Sequence, residues 1–155
     1  MKIRKMENKD ITAVSELIRR NFDEIMSKYH SQYIIEDFKS RNTADKLIIQ
    51  MNWKEIFVVE KDNEIVATGA LANFGNNEVP KYSISNFFVK PELHGQGIGR
   101  SLFNHLSEVF KAKNVKDFHV PSSRNAAEFY EKMGFVQDLE QKDLHEEITW
   151  MTINM

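Results

Sequence analysis

Three of the six glycines in this chain of 155 residues fall within five positions, at Gly95, Gly97 and Gly99. Before them, a β-branched and aromatic run ends at Val89, and after them apolar residues recur at the spacing of one helix face. Alternate glycines let a backbone approach a ligand closely, and the first N–H groups of a helix attract an anion. The pattern predicts a phosphate-binding turn between a strand and a helix. The alternative is a glycine-rich turn without a ligand.

The spacing of these glycines excludes two common phosphate loops. The dinucleotide fingerprint G-x-G-x-x-G would require glycine at position 100 or 102, where the chain has Arg100 and Leu102. The Walker loop requires a Gly-Lys pair, and the chain contains none. The predicted phosphate site therefore belongs to another class.

A second group of residues with chemical potential lies between Ser122 and Phe135. Asn125 followed by Glu128 predicts a capped helix start, and Gly134 predicts the end of that helix. The helix carries Tyr130, a phenol with a pKa of about 10 that is protonated at neutral pH and suits a proton donor. The alternative is a tyrosine that serves only in packing.

Both segments resemble motifs of the GCN5-related N-acetyltransferases (GNAT). The segment from His94 to Gly99 resembles the acetyl-CoA motif Arg/Gln-x-x-Gly-x-Gly/Ala, with His94 where Arg or Gln is usual. The segment from Ser123 to Phe135 resembles the second element N-x-x-A-x-x-F-Y-x-x-x-G-F, with Ser123 at the Asn position. The resemblance extends over essentially the whole chain and is weakest in residues 20 to 52.

This resemblance implies acetyl-CoA as co-substrate, with the pyrophosphate on the N–H groups of residues 95 to 100 and Tyr130 as general acid to the CoA thiolate. It also implies that the strand before the glycines bulges and presents main-chain N–H groups to the acetyl carbonyl. Either Ser123 or Asn125 replaces the family's Asn. The implied CoA-binding residues are Phe87, Phe88, Val89, His94, Gly95, Gln96, Gly97, Ile98, Gly99, Arg100, Ser123 and Asn125.

The implied reaction is direct attack of a primary amine on the thioester, and several points stay open. The acceptor is a small amine, an amino acid, an aminoglycoside-like compound, or a protein N-terminus or lysine. A general base is not evident: His119 on the following strand and ordered water are both compatible. Acids that would suit a cationic acceptor are Glu36, Asp37, Asp45, Glu146 and Glu147. A non-catalytic acyl-CoA sensor or partner module, and a nucleotide-phosphate protein of another class, are the competing functions.

Composition limits the protein class. Apolar residues make up 41%, charged residues 28% and the net charge is −2, so we expect one folded domain over 1–155 and no nucleic-acid partner. The chain has no cysteine, which excludes disulfides and a thiol nucleophile. Its five histidines form no ligand pair, so no metal is expected. The apolar runs are short, which predicts no membrane partner and a cytoplasmic protein.

The element order predicts an α+β (α/β) single domain with a mixed, mostly antiparallel sheet flanked by helices, which is also the order of the GNAT-like acyl-CoA N-acyltransferase fold. In the last strand, Trp150 and Met151 are either core or part of a homodimer surface. The predicted strands cover residues 2–6, 55–60, 65–74, 82–89, 115–120, 135–139 and 147–153, and the predicted helices lie after Asn8, within 29–51, after Gly99 and before Gly134.

Overall fold

A computed structural model describes residues 1–155. It contains one seven-stranded sheet in the order β1-β2-β3-β4-β5-β7-β6 and five α-helices. The strands are β1 (Lys2–Lys5), β2 (Glu55–Lys61), β3 (Glu64–Asn73), β4 (Tyr82–Val89), β5 (Asp117–Ser122), β6 (Val136–Gln137) and β7 (Thr149–Asn154). The helices are α1 (Ile11–Glu24), α2 (Gln32–Arg41), α3 (Ala44–Gln50), α4 (Ile98–Ala112) and α5 (Ala127–Met133). The predicted α+β architecture and the mostly antiparallel sheet are confirmed.

The sheet opens between its two central strands. All neighbouring strands are antiparallel except β4 and β5, which run parallel and share a single residue pair, Ser83 with His119. Beyond that pair the strands separate. Pro121 lies inside β5, opposite Trp150 of β7, so the strand continues past its predicted end at residue 120. Because proline has no N–H to donate, its presence is compatible with the loss of pairing to β4.

Apolar side chains fill the space on both faces of the sheet. On one face, α4 buries the predicted apolar positions, with Leu102 and Leu106 fully buried in a cluster that includes Tyr130 of α5. On the other face, α1 and α3 bury Val14 and Leu47 against β2 and β3. The helices therefore cover both faces of the sheet.

Two boundaries differ from the sequence prediction for reasons visible in the backbone. β5 starts at Asp117 because the chain leaves α4 through Asn114, which is in the left-handed region (φ 61), and the N–H of Val115 donates back to Phe110 O at 2.9 Å. β6 is only two residues long because Asp138 turns the chain, its Oδ1 accepting the N–H of Glu140 at 3.1 Å.

The side chains of Trp150 and Met151 belong to the interior of the protein, since they are 8% and 2% exposed. They do not form a surface between subunits. None of the helices is both long and apolar enough to cross a membrane.

Candidate active site

The glycine turn is open to solvent above its backbone. Gly95 and Gly97 have positive φ angles, +79° and +86°, and Gly97 immediately precedes the first residue of α4. A Cβ atom at either position would meet nothing within 4 Å. The protein's own packing therefore does not require glycine here. The left-handed backbone conformation favours glycine instead, and because no side chains cover the turn, its main-chain groups are exposed.

The third glycine has a different role. A Cβ at Gly99 would lie 3.3 Å from Cε1 of Phe129, so this glycine lets α4 approach α5 closely. Ile98 is buried in the core and can offer a ligand only its N–H. The side chain of Gln96 is exposed and does not line the cavity above the turn.

His94 supports the turn through its ring. Its Nε2 lies 2.8 Å from Val89 O, the carbonyl at the end of β4, and donates to it when that nitrogen carries the proton. The same carbonyl accepts a hydrogen bond from Nδ2 of Asn21 at 3.0 Å. The histidine that replaces Arg or Gln thus ties the turn to β4. Asn21 was not predicted from the sequence, although an amide within the apolar face of α1 is a detectable signal.

The predicted bulge is present in β4. Thr68 pairs with Phe88 and Ala70 with Ser85, so two residues of β4, Asn86 and Phe87, lie opposite one residue of β3. Asn86 has a φ of 50°, which sequence analysis did not anticipate.

The aromatic side chains of this strand pack inside the protein. The Phe87 ring lies 6.1 Å from the Tyr130 ring, and the Phe88 ring lies 5.3 Å from that of Phe22. Both residues are nevertheless only half-buried and line the cavities described below, so their rings as well as their main chain can contact a ligand.

Two cavities meet where β4 and β5 separate. The first, which we name the glycine cavity, has a volume of about 600 Å³ and lies over the glycine turn. The second, which we name the aromatic cavity, has a volume of about 470 Å³. Both are lined by Met26, Phe87, Phe88, Ser123, Ala126 and Tyr130. A ligand in one cavity can therefore contact a ligand in the other at this junction.

Tyr130 lies at the junction with its hydroxyl free of protein partners. The side chain is buried, and its ring packs 5.4 Å from that of Phe129 and 5.5 Å from that of Phe135. Burial raises the pKa of Tyr130 above its ordinary value, because the phenolate would be desolvated. The phenol therefore keeps its proton and can donate it to a ligand.

The two candidate polar residues after β5 both reach the site. Ser123 lines both cavities, whereas Asn125 lines the glycine cavity. The predicted capping role of Asn125 is wrong, since Ala126 is the N-cap residue and no side chain caps α5. Oδ1 of Asn125 is buried without a hydrogen-bond partner, which is an unfavourable state for a buried acceptor.

Two basic residues lie at the glycine cavity. Arg100, in the first turn of α4, lines it. Lys132 also lines it and was missed, although it lies one helical turn after Phe129, which faces the same cavity. Together with the N-terminus of α4, they give this cavity a positive electrostatic character.

The predicted base and the predicted acidic residues are not at the junction. His119 lines neither cavity; its Nδ1 faces Nε2 of Gln141 at 3.5 Å, and burial lowers its pKa. None of the acids proposed for a cationic acceptor lines the aromatic cavity. Asp37 pairs with Arg41 at 2.7 Å and with His145 at 2.8 Å, and Glu147 pairs with His30 at 3.0 Å. Asp37 and Glu147 therefore already have partners within the protein, and Glu147 also lies 3.7 Å from Arg124.

A lysine that sequence analysis missed lines the aromatic cavity. Nζ of Lys54 donates to Oγ of Ser85 at 3.0 Å and to Oδ1 of Asn86 at 3.3 Å, beside the bulge of β4. Its position just before β2 gives no local signal, because its contacts come from a strand 31 residues away along the chain. No three His, Asp or Glu side chains come together in a way that could hold a metal ion.

Comparison with known proteins gives consistent matches. The family model for the acetyltransferase (GNAT) domain matches residues 9–155. A paiA N-acetyltransferase from Thermoplasma acidophilum, solved in complex with coenzyme A, is 20% identical with a TM-score of 0.81 over 99% of this chain and 98% of that chain.

Two further solved structures share the fold. A GCN5-related N-acetyltransferase from Rhodopseudomonas palustris is 19% identical with a TM-score of 0.84, over 99% of this chain and 95% of that chain. An acetyltransferase from Clostridium acetobutylicum, solved with acetyl-CoA, is 21% identical with a TM-score of 0.67, over 93% and 95%.

Proposed function

The chain belongs to the GNAT family of acetyltransferases, which transfer an acetyl group from acetyl-CoA, and we propose that it acetylates a primary amine by direct attack on the thioester. The observation that carries this proposal is the meeting of the glycine and aromatic cavities at Tyr130. Direct transfer requires the donor and the acceptor to be bound at once, on opposite sides of the reacting carbonyl. One cavity on each side of a buried phenol satisfies that requirement.

Acetyl-CoA occupies the glycine cavity in this proposal. The N–H groups of residues 95 to 100 bind the pyrophosphate at the positive end of α4, and Arg100 and Lys132 add charge-assisted contacts. The bare backbone at Gly97 supports this, as does the coenzyme in the Thermoplasma and Clostridium structures. Of the two candidates after β5, we assign the main contact to Asn125, because its unpaired Oδ1 can accept an amide N–H of the pantetheine arm.

Once the thioester and the amine are held in position, the reaction needs few catalytic groups. The neutral amine attacks the acetyl carbon, the carbon–nitrogen bond forms and the carbon–sulfur bond breaks. Tyr130 donates its proton to the departing sulfur, and the proton lost by the amine passes through water and restores the phenol. Main-chain N–H groups at the bulge around Phe87 stabilise the negative charge on the carbonyl oxygen.

The raised pKa of Tyr130 bears directly on this role. A phenol at pKa ~10 is already a weaker acid than a thiol at pKa ~8.5, so the transfer is uphill in water. A thiolate formed in the same cavity is desolvated too, and its basicity rises with that of the phenolate. Tyr130 therefore stays protonated until sulfur acquires charge, and donates only then.

The experiment combines ligand binding with turnover. We expect coenzyme A to raise the Tm well beyond any effect of ATP or NAD, because a ligand at ~1,000 times its Kd stabilises by about 4 kcal/mol. Thiol release from acetyl-CoA with a panel of amines then tests the chemistry. Binding without turnover across a broad panel would indicate the sensor, and stronger stabilisation by ATP or NAD would refute the donor site.

A further inference from the structure

Lys54 is a cation without a counter-ion in the aromatic cavity. Both oxygens that accept from its ammonium are neutral, Oγ of Ser85 and Oδ1 of Asn86, and no carboxylate forms a salt bridge with it. An ammonium has three N–H donors, so one remains for another acceptor. Lys54 is therefore in a position to bind an oxygen of a ligand.

The surroundings of Lys54 are apolar on two sides. Its Nζ lies 4.9 Å from the ring centre of Trp53 and 5.6 Å from that of Phe74. Burial alone lowers the pKa of Lys54 to about 8, and no acid raises it again, so most of it is still charged at pH 7. A cation that has lost water without gaining an anion is stabilised when an anion binds.

The other charged groups around the cavity already have partners. Arg41 pairs with Asp37 at 2.7 Å. Asp143 accepts from Nε1 of Trp150 at 3.3 Å and from the N–H of His145 at 3.0 Å. Lys54 is thus the cation of the aromatic cavity that has no ion-pair partner, and Asp143 is an anion there whose hydrogen-bond partners are both neutral.

Lys54 lies in the same cavity as Tyr130, on the side where the acceptor is proposed to bind. Its partner Asn86 is one of the two bulged residues of β4, and Tyr130 lines the same cavity. An anion at Lys54 is therefore close to where the acceptor amine must attack. The half-exposed rings of Trp53 and Phe74 offer an apolar surface beside it.

We propose that the acceptor is an apolar amino acid, whose carboxylate binds Lys54 while its side chain lies against Trp53 and Phe74 and its amine faces the thioester. This inference rests on the proposed function and narrows its acceptor from any primary amine to one that carries a carboxylate. It does not need Lys54 to move a proton.

The test compares each of several apolar amino acids with its own carboxamide, for example phenylalanine with phenylalaninamide. The carboxamide group has the shape of the carboxylate but no charge. The amine of the amide is less basic, so more of it is the reactive free base, and protonation alone would favour the amide over the amino acid. We expect kcat/KM to favour the best-accepted amino acid over its amide by about tenfold to a hundredfold. In Lys54→Met the preference, calculated per free amine, should fall to about one, and in Lys46→Met, an exposed lysine outside the cavity, it should persist.

Three results would overturn the proposal. One is that the wild-type protein shows no preference for the amino acid over its amide, a result that does not depend on whether the variants fold. Another is an equal loss of rate with both acceptors in Lys54→Met, which would make this lysine a proton acceptor or a structural residue. If no acceptor releases thiol, the proposed function fails instead, and calorimetric binding of the amino acid and its amide in the presence of coenzyme A still decides: equal or absent binding overturns the carboxylate site.

Discussion

Replacing Tyr130 with phenylalanine should separate catalysis from binding and folding. The change removes one oxygen atom that makes no hydrogen bond with the protein, and it keeps the ring that packs against Phe129 and Phe135. No buried partner is left unpaired. The free energy of unfolding should therefore change by less than about 1 kcal/mol.

The expected loss is in the rate of transfer. General-acid catalysis by a placed side chain contributes roughly 10²- to 10⁴-fold, which corresponds to about 2.7 to 5.4 kcal/mol of barrier. Because the hydroxyl of Tyr130 is at the junction and not at the glycine turn, the affinity for coenzyme A should change by less than about threefold. The loss should appear in kcat.

The assay measures thiol release from acetyl-CoA under saturating acceptor, with coenzyme A affinity from calorimetry and stability from urea unfolding. Tyr82→Phe is the matched control, since Tyr82 of β4 packs against Phe110 of α4 and lines neither cavity. An unchanged kcat in Tyr130→Phe, or an equal loss in the control, would refute the role of this phenol.

Three further predictions concern binding, stability and pH. Gly97→Val should weaken coenzyme A binding at least tenfold in calorimetry, because φ at this residue is +86° and the new side chain enters the cavity. Gly134→Ala, also at positive φ, should not weaken binding. Equal losses in the two variants would indicate a general effect on folding and contradict a phosphate site at Gly97. Asp10→Ala should lower the free energy of unfolding by about 2 to 3 kcal/mol, because its buried carboxylate accepts from Arg4 at 2.7 and 3.0 Å; under 0.5 kcal/mol in urea unfolding would contradict this. Arg4 holds the pKa of Asp10 below its usual value, so this stability is present above pH ~4 and is lost as pH falls towards the folded-state pKa. Per free amine, the preference for an amino acid over its amide should fall above pH about 8 as Lys54 loses its charge, and a constant ratio from pH 7 to 9.5 would contradict the carboxylate site.

Features encoded by neighbouring residues were predictable from the sequence. The turn between β2 and β3 needs two residues at positive φ, and Asp62 and Asn63 provide them. The glycine turn is local in the same sense, because its strand, its positive-φ residues and its helix follow one another. Its third glycine was misread, since the contact of Gly99 with Phe129 joins two separate helices.

Features that depend on contacts between distant segments could not be predicted. The aromatic cavity draws Lys54, Asn86 and Tyr130 from three separate elements, and no spacing along the chain relates them. Asn125 shows the reverse error: its spacing to Glu128 fits a helix cap, but Ala126 is the N-cap residue and Oδ1 of Asn125 makes no hydrogen bond.

A crystal structure with acetyl-CoA bound tests most directly whether bare main-chain groups bind the donor. We predict pyrophosphate oxygens within about 3.2 Å of N–H groups among residues 95 to 100, and the thioester sulfur within hydrogen-bond reach of the Tyr130 hydroxyl. Coenzyme A bound elsewhere, with the glycine turn free of phosphate, would contradict it.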